Sequence, residues 1–134
     1  MYFGLSEEQE SIQDFVKKFL ADNASVDEIR KIANGEDEEL EKNIFDGILN
    51  LGVNTLLIPE KYNGLGAGLL HAVAVAQALG SGVGPIPFVG SYVMAPIAIN
   101  LGGDEEQRKN YLPKIASNET VSYTHLTLPT NLSV

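Results

Sequence analysis

The sequence predicts an all-α protein of about six helices, arranged as an orthogonal or up-down bundle. Three observations predict it. Apolar residues recur at three- and four-residue spacing, Ser-x-x-Gln and Ser-x-x-Glu capping boxes open the first two segments, and glycine, asparagine and proline punctuate the chain between segments.

Ser6-Glu7-Glu8-Gln9 opens the first helix, because the Ser6 hydroxyl is placed to accept from the amide three residues on while Gln9 reaches back. Ile12, Phe15, Val16, Phe19 and Leu20 then fall on one stripe, and Asp22-Asn23 ends the segment. Ser25-Val26-Asp27-Glu28 repeats the box for a short second helix carrying Ile29, Ile32 and Ala33, closed by Asn34-Gly35, both tolerant of positive φ. A third helix carries Leu40, Ile44, Phe45, Ile48, Leu49 and Leu51, with Gly52 where a left-handed cap belongs. Thr55 to Ile58 runs into Pro59-Glu60-Lys61-Tyr62-Asn63-Gly64-Leu65-Gly66-Ala67-Gly68, a loop whose glycines permit sharp turns. The fourth helix, about 69–79, is apolar on nearly every face and is therefore expected to be buried on all sides. After a Gly/Pro connector at 80–87, the fifth covers about 88–101, with Pro96 expected to kink it. Asp104 caps the sixth, whose first turn holds Glu105 and Glu106, where the macrodipole favours acids. From Val121 to Val134 there is neither a charged residue nor a helical period.

Composition excludes several function classes. At 134 residues and 44% apolar content the chain is sized for one domain with a sizeable core. A net charge of −9 speaks against a nucleic-acid partner, which requires clustered Lys and Arg. Cysteine is absent, which removes disulfides and thiolate metal sites and fits a reducing, cytoplasmic location. The N-terminus has neither a basic flank nor a long apolar run, so no signal peptide is expected. No Asp, Glu, Lys or Arg occurs from Tyr62 to Gly103, yet a membrane span needs about 20 consecutive apolar residues, and this stretch is broken by Gly80, Gly82, Gly84, Pro85 and Pro87. Core helices are expected there.

Gly64, Gly66 and Gly68 after Leu56-Leu57-Ile58 imitate a dinucleotide-binding turn, but Leu69 stands at the third glycine position of G-x-G-x-x-G and no ribose-binding acid follows about 20 residues on. A loop between helices is the expectation. His71 and His125 are the only histidines, and His71 has no acid or second histidine at helical spacing for a metal site. No G-x-S-x-G elbow activates a serine. The acids Glu36 to Glu39 and Asp104 to Glu106 sit at helix starts as solvated caps, so no catalytic constellation emerges.

Two segments carry a family resemblance. Pro59 to Gly66 resembles the Pro-Glu-x-x-Gly-Gly-x-Gly loop of the acyl-CoA dehydrogenases, with Asn63 in place of the first paired glycine, a mild departure because Asn tolerates positive φ. The run from Gly103 to Glu119, with Glu105-Glu106-Gln107 and Tyr111-Leu112-Pro113, is similar to that family's Gly-Ser-Glu-Glu-Gln-Lys-x-x-Tyr-Leu-Pro-x-Leu-Ala-x-Gly-Glu segment. The Ser6 to Gln9 opening fits the family's first helix. Gln77-Ala78-Leu79-Gly80 departs from it, since acids usually precede that Leu-Gly, and Gly84 to Phe88 resembles a branch found in bacterial lipid and steroid catabolism.

The resemblance implies that residues 1–120 are the N-terminal helical domain of an FAD-dependent flavoprotein that desaturates an acyl-CoA thioester between its α and β carbons. It also implies an electron-transfer flavoprotein as partner and a homo- or hetero-oligomer, with no nucleic acid and no membrane span. The base glutamate and most FAD contacts belong to later domains of the family, so no catalytic, cofactor-binding or metal residue is assigned here. Val89, Gly90, Val93 and Met94, by family position, are expected near the far end of the acyl pocket as substrate-binding residues. Residues 121–134 resemble translated sequencing-adapter read-through, a non-native tail of a truncated fragment expected to be inactive alone. Rival expectations are a helical interaction module without enzymatic activity and a fragment of a related acyl-CoA oxidase.

Overall fold

A computed structural model describes residues 4–119 of the chain. Six α-helices run in order: α1 Glu7–Asn23, α2 Val26–Ala33, α3 Glu38–Asn50, α4 Leu69–Ser81, α5 Ala95–Gly102 and α6 Glu105–Ala116. A 3₁₀ turn lies at Glu60–Tyr62 and a π-helical segment at Phe88–Met94. No strand occurs among the described residues, so the all-α expectation holds. The chain forms two compact units interleaved in sequence: residues up to Val53 with Leu69–Ile86, and Asn54–Gly68 with the described residues from Pro87 onward.

In the first unit, α1 packs mainly on α4, and α3 touches both α1 and α2. Both predicted capping boxes form: Ser6 Oγ accepts from the Gln9 amide at 3.3 Å, and the Ser25 amide donates to Glu28 Oε2 at 2.7 Å. The buried face of α1 is Gln13, Val16 and Leu20, whereas Phe15, expected on that stripe, is 60% exposed. The reason is polar: Gln13 Nε2 donates to Gln77 Oε1 at 2.9 Å, and Lys17 donates to Gln13 Oε1 at 2.7 Å, so the helix turns an amide inward. Gly47 lies under the Phe19 ring and Gly82 under Leu20, where an added Cβ would stand 2.6 Å from Leu20 Cδ1. Gly35 and Gly52 take φ of 69° and 81°, the left-handed caps expected of them.

The fourth helix departs from expectation. Ala72, Ala74, Val75, Ala78 and Leu79 are buried, but Leu69, Leu70 and Val73 are more than half exposed. Uniform apolarity hid a two-faced helix: the face with Ala72, Val75 and Leu79 is buried, while Leu69, Leu70 and Val73 face outward.

In the second unit, α6 packs against α5 and the 3₁₀ turn. The Pro59 to Gly66 loop explains its own sequence. Asn63 adopts φ 67° and Gly66 φ 62°, and any Cβ on Gly64 would overlap the backbone carbonyl of Ile58. Asn54, 5% exposed, donates from Nδ2 to the Ala116 carbonyl at 2.6 Å and so caps the last turn of α6. Asp104 caps the first turn, accepting from the Gln107 amide at 2.8 Å while Gln107 reaches back. The predicted fifth helix is a π-helical segment followed by α5, with Pro96 near the start of the latter. Because α5 continues the π-helical segment without a break, that proline lacks an amide which a regular helix would use there.

Candidate functional site

The residues assigned to an acyl pocket all fall on the π-helical segment. Phe88, Ser91 and Tyr92 of that segment are buried, and Tyr92 Oη donates to Asn118 Oδ1 at 2.7 Å. Burial pushes the Tyr92 phenol up to about 12, so it stays a neutral donor. With that side fixed, the opposite side is open: Val89 is 54% and Met94 64% exposed, Gly90 is exposed and Val93 half-buried. A Cβ added to Gly90 would meet nothing within 4 Å. All four are apolar and uncharged, and each is exposed or half-buried. Such residues can pack a hydrocarbon, and they have no group to move a proton.

A residue on the same segment was not singled out from sequence. Ser91 is fully buried, and its hydroxyl has no hydrogen-bond partner among the described residues. Nothing in the spacing marks it, because a serine in an apolar run looks the same whether it is satisfied or not.

The Pro59 to Gly68 loop does not fit as a cradle for a flavin nucleotide. Its amides are consumed internally: Asn63 donates to Glu60, Gly64 to Pro59, Leu65 to Thr55, Gly66 to Ile58 and Ala67 to Leu56, at 2.7 to 3.2 Å. A phosphate needs such amides turned outward. The glycines serve close backbone approach, as the loop expectation held.

An ionic cluster sits where this loop meets α6. Tyr62, 3% exposed, donates from Oη to Glu105 Oε2 at 3.0 Å, and Lys61, Arg108 and Lys109 lie 3.7 to 3.8 Å from the same carboxylate. The Tyr62 hydroxyl, supported by these cations, holds the Glu105 carboxyl below its ordinary range. Lys61 Nζ stands 4.6 Å from the centre of the Tyr62 ring, and its ammonium is raised by the polar interaction with the Tyr62 side chain first and by Glu105 next. Glu105 is thus more than the solvated cap expected of it, whereas Asp37 and Asp104 are caps as read.

His71 Nε2 lies 3.8 Å from Glu8 Oε2, an acid brought from α1 that helical spacing could not reveal, and among the described residues buried His71 Nδ1 has no partner. Among the described residues no group of three potential metal ligands exists, and no helix is long and apolar enough to cross a membrane. His125 and the tail at 121–134 lie outside the described residues.

A family profile described as "Acyl-CoA dehydrogenase, N-terminal domain" matches residues 6–119. The chain is 29% identical over 130 residues to the mitochondrial isovaleryl-CoA dehydrogenase of Pongo abelii, covering 94% of this chain and 30% of that protein. It is 32% identical to the (2S)-methylsuccinyl-CoA dehydrogenase of Cereibacter sphaeroides, covering 94% and 23% respectively. Among solved structures it matches, with a TM-score of 0.68 and 27% identity, a chain described under "Electron transferring flavoprotein of Acidaminococcus fermentans: Towards a mechanism of flavin-based electron bifurcation". That match covers 90% of this chain and 32% of the other. The chain thus spans about a third or less of the proteins it resembles.

Proposed function

The chain belongs to the acyl-CoA dehydrogenase family, whose N-terminal helical domain it carries, and from that premise we propose that its role is to shape the substrate site of an FAD-dependent acyl-CoA desaturase. Val89, Gly90, Val93 and Met94 form the wall against which the far end of the acyl chain packs. The observation that carries this is the open, uncharged side of the π-helical segment, opposite a buried and hydrogen-bonded side. Hydrocarbon packing against such a wall discriminates by size, at about 1–3 kcal/mol per methylene. The flavin and the base that removes the α proton are proposed to reside outside these residues, since the Pro59 to Gly68 loop has no amide from Asn63 to Ala67 left for a phosphate. Alone, the 134-residue chain then supplies shape without chemistry.

The match to a structure described as an electron transferring flavoprotein supports such a protein as the electron acceptor of the intact enzyme. Its oligomeric state and cytoplasmic location are likewise proposals, the latter resting on the absence of cysteine while the Pongo abelii relative is named mitochondrial. The domain boundary near residue 120 is supported by the family match ending at 119, although the pairwise alignments, at 94% of the chain, run a little further.

Two measurements test this. Purified chain mixed with FAD and desalted should be colourless, and stoichiometric flavin absorbance would overturn the division of labour. Joined to the flavin-binding domains of a family member, the domain carrying Gly90→Leu should shift preference toward shorter acyl chains, and an unchanged chain-length profile would remove the wall assignment.

A further inference from the structure

Within the run from Phe88 to Gly102, the hydrogen-bond register changes. The Ser91 amide donates to the Pro87 carbonyl at 3.0 Å, an α-type bond, but the Ala95 amide donates to Gly90, five residues back. One extra residue has been taken into the turn. The next residue is Pro96, which is fully buried. In a regular α-helix its ring would strike the carbonyl four residues back, that of Tyr92, and it has no amide to donate there. Tyr92 cannot readily swing away, because it is buried and its hydroxyl is bonded to Asn118. A kink is one relief for that collision; widening the preceding turn by a residue is the other.

We infer that Pro96 imposes the π-helical register and thereby sets which side chains share the open face, making it a positioning residue for the acyl wall. This rests on the wall assignment of Val89, Gly90, Val93 and Met94. Without the proline, Ala95 would bond to Ser91 and residue 96 to Tyr92, the α pattern. Removing one residue from the turn rotates everything before it by about 100° relative to α5, since an α-helix holds 3.6 residues per turn. Val89 and Gly90 would then leave the side occupied by Met94. The specificity of the wall is therefore fixed by a residue that does not belong to it.

The test uses the labelled 134-residue chain and reads scalar couplings across hydrogen bonds by NMR. The native chain should show coupling between the Ala95 nitrogen and the Gly90 carbonyl carbon. In Pro96→Ala, and in Pro96→Val, which keeps more of the ring's volume, that coupling should vanish and one from Ala95 to Ser91 should appear. Persistence of the Gly90 coupling in either variant overturns the inference. So does failure of both variants to fold, because a regular helix must be an accessible alternative. Titration with octanoyl-CoA forms a separate arm: native amide shifts should concentrate at Val89 to Met94 and redistribute in the variants. Absence of any shift there in the native chain sinks the wall assignment, while the couplings still decide the role of Pro96.

Discussion

At Gly64 a single hydrogen atom decides whether the loop closes. A Cβ there would overlap the Ile58 carbonyl, which is backbone and cannot rotate aside. Gly64→Ala should therefore destabilise the chain by about 1–3 kcal/mol, read as a fall in the urea midpoint. Gly68→Ala, where nothing stands within 4 Å, should stay within about 0.5 kcal/mol. Ser91→Ala should do the opposite of most core truncations: removing a buried, unpartnered hydroxyl should raise stability by about 1–3 kcal/mol, and a loss on denaturation would mean the hydroxyl has a partner. Glu105 gives a pH dependence. Its folded carboxyl is held below the ordinary 4.5 by Tyr62 first and then by the cations, so its contribution is present above that value and lost as pH falls through the lowered one. The Tyr62 resonances should move over that acid range in the native chain and not in Glu105→Gln. At this scale, the sequence disclosed Asn63 and Gly66, whose residue types announce positive φ, but not Ser91 or Glu105, whose roles depend on which neighbours the fold brings near.

Helix starts were the most legible elements. Ser6 and Ser25 form the reciprocal caps that local spacing predicts, and Asp104, expected as a simple cap, forms one with Gln107 as well; both partners lie three residues apart and need no tertiary context. Faces were less legible. Phe15 is exposed and Gln13 buried because Gln77, distant in sequence, supplies the amide partner. The same limit hid the exposed side of α4, where an apolar pattern without polar residues has no direction to read. Leu70→Glu should consequently leave the midpoint within about 0.5 kcal/mol, while Val75→Asp, at a fully buried position, should prevent folding; equal effects on circular dichroism melting would contradict the assignment of the two faces. The π-helical segment was foreseen only as a kinked helix, because proline announces a disturbance and not the form the disturbance takes.

Over the whole chain, charge and apolar surface pull in opposite directions. A net charge of −9 repels copies, and the exposed Leu69, Leu70, Val73, Val89, Met94 and Leu101 attract them. Salt screens the first and leaves the second, since the Debye length shortens from about 10 Å at 0.1 M to about 3 Å at 1 M. Sedimentation should show association growing with salt, and a distribution unchanged between those conditions would show that the apolar surface is not adhesive. The interleaving of the two units has a consequence for synthesis. The Asn54 side chain waits for the Ala116 carbonyl, 62 residues later, and Tyr62 for Glu105, 43 later. As the polypeptide leaves the ribosome, α1 to α4 can already associate while Asn54 and Tyr62, in the loop between α3 and α4, still lack their partners on α6. That loop remains a protease target until α6 has emerged, so α6 completes a structure begun half a chain earlier.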